Sequence, residues 1–147
     1  WLSTNIPFPY SREAGEKFIE DARDNFKKGD QICFSVIEKE TKRHMGGIKF
    51  FSANRVECEI GYWLGPDFWS KGFASEFLTV AIKWLKSEGI VKQLFAQTAN
   101  QNAGSRKLLE KVGFIHKGTP PTEHARCGHG AGCSEYYVLV LSGEEAL

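Results

Sequence analysis

The sequence predicts an α+β fold, a mixed α/β domain in which helices flank a mainly antiparallel central sheet. Two short apolar stretches, residues 32–37 and 45–51, are separated by a polar turn at residues 39–43, which indicates a β-hairpin. From residue 56 onward the pattern alternates between strand, helix, strand, helix and strand. A hairpin followed by such alternation is typical of a mixed sheet covered by helices.

The composition indicates a single globular domain, residues 1–147. Hydrophobic residues make up 41% of the chain, which excludes a disordered protein and supplies enough apolar surface for a core. The formal net charge of +1 provides no basic field, so we expect no nucleic-acid partner. No apolar run approaches the roughly 20 residues of a membrane span, so we expect no membrane partner. Four cysteines are few for a secreted disulfide scaffold, which predicts a cytoplasmic protein with reduced thiols.

The N-terminal part predicts one helix followed by the hairpin. Ser11 is a suitable N-cap, and Gly29 ends the helix. One helical face is apolar: Ala14, Phe18, Ile19, Ala22 and Phe26. Cys33 and Cys58 fall inside predicted strands, and we interpret both as small core residues.

The central stretch, residues 56–85, predicts a strand, a turn and a long amphipathic helix. The strand alternates between two faces: Val56, Cys58, Ile60, Tyr62 and Leu64 on one, and Glu57, Glu59, Gly61 and Trp63 on the other. A turn at residues 65–67 ends the strand, and the helix begins near Gly72 and ends at Gly89. Its apolar face is formed by Phe73, Phe77, Ala81, Trp84 and Leu85.

Shorter elements follow. A strand is predicted at residues 94–98, a helix at residues 103–112 that Gly113 caps, and a strand that starts at residues 114–116. Residues 118–134 read as a long loop before a closing strand at residues 136–141.

The loop at residues 69–74 has the properties of an anion site. The first turn of a helix leaves backbone N–H groups without partners and carries a partial positive charge. Gly72 and Ala74 give an anion room to approach that backbone, while Ser70 adds a hydroxyl and Lys71 a charge. The pattern fits a phosphate or pyrophosphate ligand, and it fits equally well an ordinary connection in which Gly72 merely relieves a tight turn.

The same loop resembles motif A of the GNAT superfamily, the acetyl-CoA-dependent N-acetyltransferases. That motif is Gln/Arg-x-x-Gly-x-Gly/Ala between a strand and a helix; Gly72 and Ala74 match it, and Trp69 takes the Gln/Arg place. The strand at residues 59–63 and the segment at residues 102–114, Asn-x-x-Ser followed by Glu-Lys-x-Gly-Phe, resemble the branch of ribosomal-protein N-terminal acetyltransferases. The resemblance extends from about residue 9 to residue 145.

The resemblance implies a GNAT acyl-CoA N-acyltransferase fold and direct acetyl transfer from acetyl-CoA to an amine in a ternary complex. The acceptor would be a protein N-terminus, a polyamine or another small amine, and the protein a monomer or homodimer. The family normally begins with one more strand and helix, so the chain would be truncated or shortened before Trp1. Residues expected at the co-substrate are Trp63, Leu64, Trp69, Ser70, Lys71, Gly72, Phe73, Ala74, Asn102 and Ser105.

The resemblance also suggests catalytic roles. Ser105 would protonate the departing thiolate, and a backbone N–H near Trp63 or Leu64 would polarise the thioester on a strand that splays from its neighbour. Asn102 would contact the pantetheine or simply cap its helix. The choice of base comes from the strand pattern: Glu59 is preferred because it lies opposite the face of Ile60 and Tyr62. Glu135, just before the last strand, is second, and a water chain is the alternative. Residues 136 and 137 are tyrosines that more often pack than contact substrate.

One segment fits no family pattern. Two histidines and two cysteines lie within residues 124–133, but their spacing matches none of the common zinc motifs, so we expect no metal. A substrate-side lid is the favoured interpretation, and a disulfide between Cys127 and Cys133 under oxidation is an alternative. Two rival functions stay open: a non-catalytic acyl-CoA-binding or sensor domain, and a phospholigand- or metal-binding module unrelated to CoA.

Overall fold

The computed structural model describes residues 9–52, 55–121 and 134–141. These ranges contain helices α1 (Arg12–Lys27), α2 (Phe73–Glu88) and α3 (Ala103–Lys111) and strands β1 (Gln31–Ile37), β2 (His44–Phe51), β3 (Glu57–Leu64), β4 (Gln93–Ala99), β5 (Ile115–Gly118) and β6 (Ser134–Val140). The predicted order of elements is confirmed. A short 3₁₀ helix, Pro66–Phe68, replaces the simple turn that was predicted after β3.

The strands form one six-stranded sheet with the order β1-β2-β3-β4-β6-β5. Strands β3 and β4 are parallel, and the other neighbouring pairs are antiparallel. Helix α2 connects the two parallel strands, as a parallel pair requires a crossover connection. The prediction of a mixed, mainly antiparallel sheet is confirmed.

The core lies between the sheet and helices α2 and α3. Its side chains interlock from both layers, and those with 2% exposure or less include Phe50, Cys58, Ile60, Leu78, Leu85, Leu94, Leu109 and Tyr137. The prediction that Cys58 is a core residue is confirmed, whereas Cys33 is only half-buried. Burial raises the pKa of the Cys58 thiol to about 12, so it stays a neutral, apolar group.

Helix α1 lies on the opposite face of the sheet. The β2 residues Ile48 and Phe50 face the core, so Lys49 between them faces the other way, and its ammonium lies 5.9 Å from the ring centre of Phe18 in α1. Ser11 caps α1 as predicted. The predicted apolar face of α1 is only partly covered, since Phe26 remains 62% exposed.

The last two strands differ from the prediction. Strand β5 begins at Ile115, one residue later than predicted. Strand β6 begins at Ser134, two residues earlier than predicted, because it pairs with β4 as far as Ala99. The placement of Glu135 before this strand was therefore wrong, since Glu135 lies inside β6 opposite Thr98. No helix within the described ranges is long and apolar enough to cross a membrane.

Candidate active site

Strands β3 and β4 separate soon after they begin. Only the first three residues of each strand pair with the other, Glu57–Glu59 with Gln93–Phe95. On their outer edges, β2 still pairs with β3 as far as Leu64 and β6 with β4 as far as Ala99. The result is an opening between β3 and β4 at the carboxyl ends of two parallel strands, where α/β sheets usually bind ligands. This is the separation that the family resemblance implied.

The hydrogen-bonding pattern determines which β3 amides face the opening. The N–H of Gly65 donates to the carbonyl of Met45 in β2 at 2.8 Å. Along a strand in an antiparallel pair, every second residue directs its N–H toward the partner strand, so the N–H of Trp63 also points to β2. The N–H groups of Tyr62 and Leu64 then point to the opening. Of the two amides predicted for the thioester, Leu64 provides the one on the open side.

Helix α2 begins beside this opening, and no side chain caps its first backbone N–H groups. Its N-cap is Gly72, which has a φ of 85° and makes no side-chain cap hydrogen bond. A Cβ at Gly72 would meet nothing within 4 Å among the described atoms, so no described neighbour packs against this residue on its Cβ side. The first-turn N–H groups, including those of Phe73 and Ala74, have no intrahelical partner and give this end a partial positive charge.

The residues before Gly72 shape the loop. The indole Nε1 of Trp69 donates to the carbonyl of Leu64 at 2.7 Å, and the Lys71 ammonium donates to the carbonyl of Asp67 at 2.8 Å. Ser70 has a φ of 59°, which bends the chain toward the helix start. Trp69 and Lys71 therefore hold the loop together, and the Lys71 charge is directed to its own loop.

A second cation, which the sequence analysis did not select, reaches the start of α2. The ammonium of Lys111, the last residue of α3, donates to the hydroxyl of Ser75 at 3.3 Å. Both residues line a cleft of about 350 Å³ between α2 and α3, and Gly72 and Glu76 lie in the same cleft. Lys111 belongs to the Glu-Lys-x-Gly-Phe segment, but the sequence did not show that the end of α3 lies beside the first turn of α2.

Ser105 lies near the start of α3 and contacts β3. Its hydroxyl lies 2.7 Å from the hydroxyl of Tyr62, and its N–H donates to Asn102 Oδ1 at 3.1 Å. Burial raises the pKa of Tyr62 to about 12, so Tyr62 keeps its proton at neutral pH. Asn102 is the N-cap of α3, as one of its two interpretations required. Tyr62 was predicted only as a residue of one of the two alternating faces of β3.

The two candidate bases lie on opposite faces of the sheet. Glu59 and Tyr62 are three residues apart along β3, so their side chains lie on opposite faces of the sheet. Tyr62 faces the side of α3, and Glu59 therefore faces the side of α1. Glu135 shares a face with Tyr137, whose hydroxyl contacts Arg106 and lies on the side of α3. Glu135 is also hydrogen-bonded to His116 Nε2. Tyr137 is fully buried, in agreement with a packing role.

Asn102 offers a test of the local geometry. Replacing Asn102 with alanine removes the acceptor for the Ser105 N–H, and we expect the free energy of unfolding to fall by about 1 kcal/mol. Thermal unfolding followed by circular dichroism measures the change. Ser11→Ala removes the corresponding cap of α1 and is the matched control for stability. An Asn102→Ala variant as stable as the parent would contradict the capping role.

The described residues contain no group of three or more histidine, cysteine, aspartate and glutamate side chains able to hold a metal ion. The segment at residues 124–133, for which a lid was the favoured interpretation, lies outside the ranges that the structure describes.

The opening between β3 and β4 lies on the strands that precede α2 and α3, and the comparison with known families shows the class of protein to which this arrangement belongs. The family model of the acetyltransferase (GNAT) domain matches residues 1–115. The chain therefore belongs to the GNAT acetyltransferase family.

Two curated relatives show how similar this chain is to individual acetyltransferases. The chain is 32% identical over 102 residues to the uncharacterized N-acetyltransferase p20 of Bacillus licheniformis, a match that covers 68% of this chain and 57% of that protein. It is 27% identical over 95 residues to the ribosomal protein uS5-alanine N-acetyltransferase of Escherichia coli (strain K12), with 63% and 49% covered. The chain thus spans about half the length of these curated relatives.

A solved structure shows the same fold. The microcin C7 self immunity acetyltransferase MccE, in complex with acetyl-CoA and AMP, superposes with a TM-score of 0.78 at 20% identity. The superposition covers 90% of this chain and 73% of that one.

Proposed function

We propose that this chain is an N-acetyltransferase that transfers the acetyl group of acetyl-CoA directly to an amine in a ternary complex. The observation that carries the proposal is the separation of β3 from β4 beside the uncapped start of α2. That arrangement offers one place for a diphosphate and another for a thioester arm. The presence of acetyl-CoA in the structure of MccE supports the choice of co-substrate.

The amides around Gly72 bind the diphosphate, and the co-substrate arm enters the opening between the strands. The Leu64 N–H donates to the thioester carbonyl, where negative charge develops as the amine attacks. The new C–N bond forms, the C–S bond breaks, and its electron pair passes to sulfur. Ser105 then assists the departing thiolate as the general acid. Trp63, Trp69, Ser70 and Lys71 shape the walls of this site rather than carry the charge.

The acceptor amine approaches from the α1 side of the sheet, which is the side that Glu59 faces. An α-amino group has a pKa of about 7.7–8.0 and a lysine-type amine about 10.4, so a protein N-terminus is more often neutral near pH 7. The relative from Escherichia coli is named for an alanine of a ribosomal protein, which also favours an N-terminal residue. We therefore propose a protein N-terminus as the acceptor class, with Glu59 as the base.

The role of Glu59 can be measured directly. We expect Glu59→Gln to lower kcat about tenfold at pH 7, since water retains part of the proton transfer that a positioned base provides. The loss should shrink at higher pH, because a larger fraction of the amine is then neutral without help. Steady-state rates between pH 6 and pH 9 give the profile. Glu135→Gln, on the other face, is the control, and equal rates for Glu59→Gln and wild type would remove Glu59 from the mechanism.

The experiment that tests the function uses two readouts on the unmodified protein. Isothermal titration calorimetry with acetyl-CoA measures binding, and thiol release measures transfer to peptides that begin with alanine or serine, to spermidine and to an amino sugar. An enzyme binds acetyl-CoA and releases CoA only when an acceptor is present. A sensor domain binds without thiol release, and a phospholigand module unrelated to CoA does not bind acetyl-CoA.

A further inference from the structure

One hydrogen bond connects two elements of the proposed site. Tyr62 in β3 and Ser105 in α3 are 43 residues apart in sequence, yet their hydroxyl oxygens are 2.7 Å apart. Tyr62 lies on the strand that provides the Leu64 amide, and Ser105 lies on the helix that follows β4. The pair therefore lies beside the opening, where the acetyl group would be transferred.

The chemistry of the two hydroxyls indicates the direction of this bond. A phenol is a stronger acid than an aliphatic alcohol and therefore the better donor, whereas a serine oxygen has two lone pairs to accept with. The environment of Tyr62 keeps it protonated, as its raised pKa shows, so its proton is available for donation. When Tyr62 donates, the proton of Ser105 is left free, and accepting one hydrogen bond polarises the O–H of Ser105 further.

We propose that Tyr62 is a positioning residue that donates to Ser105 and thereby aims the Ser105 proton into the opening, toward the leaving sulfur. The inference rests on the proposed acetyl transfer. When the C–S bond breaks, its electron pair passes to sulfur, and sulfur takes the Ser105 proton. Glu59 takes the proton that the attacking amine loses and releases it to solvent, and solvent returns a proton to Ser105. Tyr62 keeps its own proton throughout, so the step balances without any further reactant.

The test is a double-mutant cycle with Tyr62→Phe, Ser105→Ala and the double variant. We expect Tyr62→Phe to lower kcat about five- to tenfold, since it removes one neutral hydrogen bond that orients the acid, while KM and the dissociation constant for acetyl-CoA stay unchanged. In the Ser105→Ala background the second substitution should have no further effect on kcat, because there is no Ser105 proton left to aim.

Tyr137→Phe is the matched control. Tyr137 is also a buried tyrosine bonded to α3, through Arg106 Nε at 3.3 Å, but it contacts neither Tyr62 nor Ser105 by any hydrogen bond seen in the described residues. Its variant should keep the parent kcat. The inference is overturned if Tyr62→Phe has the same kcat as wild type. It is also overturned if Tyr62→Phe lowers kcat by the same factor in the wild-type and in the Ser105→Ala background. If the wild type binds acetyl-CoA but acetylates no amine, the proposed function fails and this inference fails with it.

Discussion

Replacing Gly72 with valine is expected to raise the dissociation constant for acetyl-CoA about 30- to 100-fold, or roughly 2–3 kcal/mol. A Cβ at Gly72 would meet no described atom within 4 Å, so a valine side chain there has room, and it would crowd a diphosphate that approaches the first-turn amides of α2. Hydrogen bonds to a charged group contribute about 1.5–3 kcal/mol each, so the loss of one or two accounts for the magnitude. Calorimetric titration with acetyl-CoA gives the value.

Gly89→Val is the control for backbone strain. Gly89 ends the same helix with a φ of 73°, and a Cβ there also meets nothing within 4 Å of the described atoms. Valine in this left-handed conformation is strained at both positions, so both variants should lose similar thermal stability. Only Gly72→Val should lose affinity. Equal affinities for acetyl-CoA in the two variants would count against a diphosphate at the start of α2.

Replacing Ser105 with alanine should lower kcat about 100-fold and leave the dissociation constant for acetyl-CoA unchanged. The hydroxyl acts on charge that appears on sulfur only as the C–S bond breaks, so its removal affects the transition state and not the bound ground state. Donors to a developing charge are typically worth about 100- to 1,000-fold in kcat. Single-turnover measurement of thiol release separates this step from product release.

Two further variants are controls for the Ser105→Ala measurement. Ser105→Thr keeps a hydroxyl at the same place and should retain much of the rate. Ser87→Ala removes a serine hydroxyl that donates to the Trp84 carbonyl near the end of α2, and it should have no effect. A Ser105→Ala variant that transfers the acetyl group at the wild-type rate would exclude Ser105 as the acid.

Local patterns in the sequence were sufficient to predict the elements and the bare start of α2. The alternation along β3 placed Cys58 in the core, and the glycine at position 72 marked an α-helix start that no side chain caps. Such features depend on neighbours a few residues away, and the sequence records those neighbours directly.

The side-chain contacts within the site could not be predicted from the sequence. Tyr62 was assigned only to one face of β3, because alternation reveals the direction of a side chain but not its partner. That partner is Ser105 Oγ, 43 residues further along the chain. Lys111 approaches Ser75 only because α3 packs beside α2. The position of Glu135 was missed because pairing with β4, not local propensity, decides where β6 begins.

The placement of Ser105 and Glu59 on opposite sides of the sheet has a consequence for the size of the acceptor. On this arrangement the nucleotide half of the co-substrate occupies one side of the sheet, and the acceptor reaches the opening from the other side, where α1 lies. A polypeptide would need to insert only its first residue, while the remainder of its fold, however bulky, stays outside. A site that opens to the surface in this way can modify folded proteins, whereas a site enclosed within the protein would admit only small molecules.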